Sequence, residues 1–134
     1  MVCLICGTVF ADYNNVTIYV NDKVVQSSQP GVVINDTTFV PVRIVSETLG
    51  CNVEWNEAEQ CVTITKENII LNMTIGSVNV TDGTDAVYHL PEAPFVLNDS
   101  VTMVPVRFVS EKLGMSVKWD ETSTTVFINS DSIL

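Results

Sequence analysis

Positive charge is scarce in this sequence. Six Lys and Arg residues stand against sixteen Asp and Glu, a net charge of −10 over 134 residues. Such a field repels phosphate backbones and anionic lipid surfaces, so nucleic acid is excluded as a natural partner. Cations, basic proteins or plain solubility outside the cell suit this surface better. Histidine is scarcer still, with His89 alone. A zinc or copper centre needs three or four nitrogen or sulfur ligands at close spacing, and one histidine cannot supply them. A serine triad would have to draw on the same residue, and no nucleophile elbow is present. No metal, cofactor or catalytic residue is therefore assigned. No apolar run approaches the ~20 residues that cross a bilayer. Charged residues make up only 16% of the chain against 46% hydrophobic, a balance that excludes disorder and supports a packed core.

The opening residues, MVCLICGTVFA at 1–11, are almost wholly apolar and end in the small residues a signal peptidase prefers. They read as a secretory signal, short and without a basic start, and place the protein outside the cell or on its surface. Cys3 and Cys6 form a C-x-x-C inside this segment, where a leader outweighs redox or metal chemistry. The remaining residues, 12–134, have the length of one domain.

What the chain does have is a motif written twice. VPVRIVSETLG at 40–50 returns as VPVRFVSEKLG at 104–114. Pro41, Arg43, Glu47, Leu49, Gly50, Trp55, Val62 and Ile64 recur 64 positions later as Pro105, Arg107, Glu111, Leu113, Gly114, Trp119, Val126 and Ile128. Upstream the offset drifts: IND at 34–36 matches LND at 97–99, and VND at 20–22 matches VTD at 80–82. Insertions of this kind belong in loops, and the chain reads as two copies, about 16–75 and 76–129.

Each copy carries the same signals in the same order. VTIYV and SVNV alternate as strands do, with Asn-Asp or Asp-Gly behind them as hairpin turns. Short apolar runs ending in a second Asn-Asp follow, and then the repeated motif. Pro41 and Pro105 suit the first helical position, while Gly50 and Gly114 suit the left-handed residue that ends a helix. Between them a helix of about two and a half turns would bury Val42, Val45 and Leu49, or Val106, Val109 and Leu113. CNVEW and MSVKW then place Val53 and Trp55, Val117 and Trp119, on one strand face, with CVTIT and TVFI returning against them. NIILNMTIG would be a strand linking the copies. The expected class is α+β: two tandem copies of a short helix packed on antiparallel hairpins.

The hairpin, the N-D-x-x-x-VPVR run, V-S-E-x-LG and the V-x-W strand together resemble the N-terminal stalk domain of copper amine oxidases. This module also occurs in secreted and surface proteins of Gram-positive bacteria. The resemblance covers about 16–129. It implies an antiparallel sheet wrapped around a helix, non-catalytic and outside the cytoplasm, and it implies no copper here, because in the oxidase the metal belongs to a separate, larger catalytic domain. It admits a homodimer, since the oxidase stalks approach one another across a dimer.

The motif residues have bland readings beside sharp ones. Arg43 with Glu47, and Arg107 with Glu111, lie four apart on a helix face. Their recurrence favours arginines that tie down nearby carbonyls over arginines that recognise a carboxylate or a sugar. Trp55 and Trp119 alternate with valines and so should be buried, although exposed they would serve as sugar platforms. Asp82 and Asp85 read as turn residues before they read as a calcium loop, and Glu57 and Glu59 as solvated turn carboxylates. Cys51 and Cys61 fall on opposite faces and read as two free thiols. The function these readings favour is a non-catalytic stalk or docking module whose partner is a protein or cell-wall component. A glycan-binding module, or an accessory domain of a secreted enzyme, are the alternatives.

Overall fold

Asn-Asp pairs set the first folds of the chain. In the computed structural model, which describes residues 13–130, β1 (Thr17–Val20) turns into β2 (Lys23–Val24) through Asn21 and Asp22. β3 (Val32–Ile34) turns into β4 (Thr37–Pro41) through Asn35 and Asp36. All four turn residues have positive φ, the two-residue geometry whose twist matches that of paired strands. Between β10 (Phe95–Leu97) and β11 (Val101–Pro105), Asn98 and Asp99 repeat that geometry, and Ser100 is added. That one residue accounts for the change of offset from 63 to 64. The signal-like residues 1–11 lie outside the described residues.

Seven-residue helices follow, α1 (Val42–Thr48) after β4 and α2 (Val106–Lys112) after β11. Pro41 and Pro105 are not their first helical residues. Each has extended ψ, 135° and 119°, and ends a strand while serving as the helix N-cap. The helices are thus about two turns rather than two and a half. Gly50 and Gly114 do take the left-handed conformation, φ 74° and 84°, that terminates them.

The α+β expectation is overturned: among the described residues half are strand and 11% are helix, so the fold is mainly β. The remaining strands are β5 (Asn52–Asn56), β6 (Cys61–Lys66), β7 (Ile69–Thr74), β8 (Asn79–Thr81), β9 (Val87–His89), β12 (Met115–Asp120) and β13 (Thr125–Ser130). Helix propensity over seven residues is too little to stand alone, so both helices exist as corner pieces held by sheet packing.

The strands make three sheets, ordered β12-β13-β1-β2, β10-β11-β4-β3 and β5-β6-β7-β8-β9. In the middle sheet, β4 runs antiparallel to β11 with Val40 opposite Val104. These two valines are the same position of the 64-residue offset, so a local two-fold relation passes between them. The outer sheets are crossed. The β12-β13 hairpin from late in the chain takes β1 as its parallel neighbour, and the β5-β6 hairpin is joined to β8-β9. The second of these joints differs, because β7 lies between β6 and β8 and makes every pairing in that sheet antiparallel.

One apolar core follows from this crossing. Ile18, Val20, Val40, Val45 and Ile64 share a cluster with Val104, Val109, Leu113, Val126 and Ile128. The other face of the middle sheet holds a smaller cluster, Val32, Phe39 and Met103, with the Phe95 ring edge-on to Phe39 at 4.9 Å. α1 packs on β5 of its own half and β11 of the other, as α2 packs on β12 and β4.

Candidate functional site

α2 overhangs a groove of about 500 Å³. Its floor is apolar: Val33, Pro105, Val106, Val117 and Val126. Phe108 and Trp119 wall it, Arg107 and Glu111 stand on one rim, and Tyr13, Asp36 and Glu121 stand on another. Pro105, Arg107, Glu111, Trp119 and Val126, all among the residues repeated in the sequence, meet here.

Arg107 does tie down a carbonyl. Its Nη1 donates to Val117 O and to Glu111 Oε2, each at 3.3 Å, and so links α2 to β12. Both side chains are more than half exposed, so the ion pair is weak and the carbonyl contact matters more. In the first half, Pro41, Arg43 and Glu47 line a second groove of about 590 Å³, completed by Ser100 of the preceding turn, by Val101 and Thr102 of β11 and by 26–29. Gly50 and Gly114 line neither groove and act only as helix ends.

The tryptophan expectation is overturned for Trp55, which is 41% exposed. Register puts it opposite Val62, on the core-facing side, but β5 is an edge strand and the indole overhangs the end of the core. Trp119 is half-buried against the core and the groove. Each indole N–H finds the carboxylate two residues on, Glu57 Oε1 or Glu121 Oε1, at 2.8 Å.

Glu121 is the hub of the groove's polar rim. Tyr13 donates its hydroxyl to Oε2 at 2.6 Å, from the other end of the described chain. The hydrogen bonds from Tyr13 and then Trp119 hold the Glu121 carboxyl below its ordinary pKa. The same bond, with the charges of Glu121 and Asp36 nearby, raises that of the Tyr13 hydroxyl. Sequence reasoning missed Tyr13, Asp36 and Glu121 as site residues. The recurring Trp-x-Glu spacing at 55–57 and 119–121 was the available signal for Glu121. No local pattern marks Tyr13, 108 residues away.

The other acidic candidates are structural. Asp82 accepts from the Thr84 hydroxyl at 2.6 Å, the Thr84 amide at 3.0 Å and the Tyr88 hydroxyl at 3.1 Å, which lock the five-residue loop between β8 and β9. Those bonds, Thr84's first, lower its pKa. Glu57 accepts from Trp55, and Glu59's amide caps the turn on Asn56 Oδ1. Cys51 is buried, where desolvation raises its thiol pKa, and Cys61 is half-buried. Cys51 precedes β5 and Cys61 begins β6 opposite Asn56. Five strand residues at ~3.3 Å each separate their rungs, well beyond the ~7 Å limit of a disulfide.

A mainly β module with crossed halves and an open groove is the class this arrangement defines. Within it, the chain belongs to the copper amine oxidase N-terminal domain family, whose profile matches residues 19–128. That domain is a non-catalytic part of those oxidases. Neither the search of curated proteins nor the search of solved structures found a match. The family name raises copper, and the donors here do not fit it. Among the described residues no three His, Cys, Asp or Glu side chains gather as ligands, and His89 is exposed on β9.

Proposed function

We propose that the protein is a non-catalytic docking or stalk module working outside the cytoplasm, at the cell surface. The observation that carries this is the state of the polar groups around the α2–β12 groove. Glu121 and Arg107 are bonded to Tyr13, Trp119, Glu111 and the Val117 carbonyl. They form a stiff rim around an apolar floor, which is what a binding surface needs. General acid–base work would need a group free to exchange its proton with a substrate, and a rim of mutually bonded groups favours holding over turnover. The apolar first eleven residues support placement outside the cytoplasm.

Cell fractionation combined with external protease on intact producing cells tests the placement. The expected result is digestion without lysis; a protein recovered only from the cytosol and protected there would overturn it. A second reading, a cell-wall glycan module, is favoured by Trp119 and Tyr13 at the groove mouth. Co-sedimentation of the purified protein with isolated cell wall checks it, and a Trp119→Ala protein that pellets as well as the original would remove the groove from that reading.

A further inference from the structure

The two halves provide an internal comparison. Arg and Glu recur at both grooves, so their shared part is the frame. The groove at α2 differs by what the crossing adds: Tyr13 and Asp36 from the first half, beside Trp119 and Glu121 from the second. At α1 the corresponding rim is Ser100 to Thr102, with no aromatic ring and no carboxylate beyond Glu47.

We propose that the α2 groove receives a basic side chain, lysine or arginine, of an extended partner peptide, a reading that deepens the docking function and rests on it. Charge decides the occupant. Among the described residues the groove's ion pair is Arg107 with Glu111, which leaves Asp36 and Glu121 without a basic counterpart. Glu121 stays ionised because two neutral donors, Tyr13 and Trp119, hold its charge without cancelling it. A cation over the half-exposed Trp119 ring gains from the ring face and from these carboxylates together. Its aliphatic stem fits the apolar floor, as long basic side chains do when their heads remain in water. The net charge of −10 steers basic segments towards the protein from a distance. A neutral glycan uses the ring but leaves the two carboxylates unanswered.

The indole N–H signals of Trp55 and Trp119 in a 15N-labelled sample report the two halves separately. The probes are a short extended peptide bearing two lysines, the same peptide with both lysines acetylated, and a soluble cell-wall glycan fragment. The lysine peptide is expected to shift Trp119 and leave Trp55 in place, with binding that weakens as salt is raised. Asp36→Asn and Glu121→Gln each weaken it roughly three- to tenfold, and Glu57→Gln, the same change in the other half, leaves it alone. Equal binding of the acetylated peptide overturns the proposal, as does a matching shift at Trp55 or no shift with millimolar lysine peptide. The acetylated arm uses the unaltered protein and stands even if a variant fails to fold. A glycan that shifts Trp119 when the lysine peptide does not refutes the basic occupant yet leaves the docking function standing.

Discussion

Val104→Ala is expected to destabilise the whole molecule at once, although the residue belongs to the second copy of the motif. Val104 is fully buried and lies opposite Val40, also fully buried, at the centre of the middle sheet. The change removes two methyl-sized groups, about 1.6 kcal/mol of transfer free energy at ~0.8 per group. The cavity adds to this, because the valine opposite cannot collapse into the space, for a total of about 2–3 kcal/mol. At roughly 3–5 °C per kcal/mol for a chain of this size, the melting temperature falls by roughly 10 °C. Urea unfolding monitored together with amide hydrogen exchange is the assay. A single transition is expected, with protection lost in β5–β7 as much as in β12–β13. Val40→Ala/Val104→Ala, by contrast with the sum of its parts, is expected to show a coupling above ~0.5 kcal/mol because the side chains abut. Two separate transitions, or protection lost only after residue 76, would refute the shared core.

Other consequences are simpler to check. Gly114→Ala meets no neighbouring atom, so its cost is that of a left-handed alanine alone, about 1–2 kcal/mol; an unchanged unfolding midpoint would argue against the helix-ending role. Arg107→Ala loses an exposed ion pair and a carbonyl contact, for about 1 kcal/mol, and Arg107→Lys is expected to recover only part of it. The Trp119 indole signal is expected to titrate with a midpoint below the 4.5 of a free glutamate, since hydrogen bonds depress Glu121. A depressed carboxyl stabilises the fold above its unfolded pKa, so that contribution is present above about pH 4.5 and is lost as pH falls through the folded value; a midpoint at or above 4.5 would contradict the Tyr13–Glu121–Trp119 geometry. Cys61 is expected to alkylate well before Cys51, whose thiol is buried and raised above 9.0, and equal rates would count against the burial of Cys51.

Much of the fold was legible because its signals are local. Asn21-Asp22 and Asn35-Asp36 announce their turns, Gly50 and Gly114 end their helices, and period-two alternation marks β5, β6, β12 and β13. β4 and β11 are hidden from the sequence pattern, because Pro41 and Pro105 suit the opening of a helix and here also close a strand. This weighs on the fold class, since those strands carry the pairing between halves. Which hairpin joins which was not legible at all. β1 could pair with several strands of similar apolar pattern, and only packing in three dimensions selects β13. Trp55 shows the limit of periodicity: alternation gave its side of the strand correctly but not how far the core extends beneath it. The groove was legible at Arg107, Glu111 and Trp119 as framework and hidden at Tyr13 and Asp36, which the crossing brings in from far along the chain.

The parallel pairing of β1 with β13 makes the two ends of the described chain neighbours through four rungs, Thr17–Thr125 to Val20–Ile128. Such a pair closes a loop of about a hundred residues, the kind of distant contact that slows folding. It also sets how the molecule responds to force. Thr17 lies at one end of the ladder and Ser130 beyond the other. A pull between them runs along both strands and loads every rung together in shear, where an antiparallel closure would peel open one bond at a time. The β1–β13 ladder is thus also a latch against tension, since a force between its two ends meets all four rungs at once.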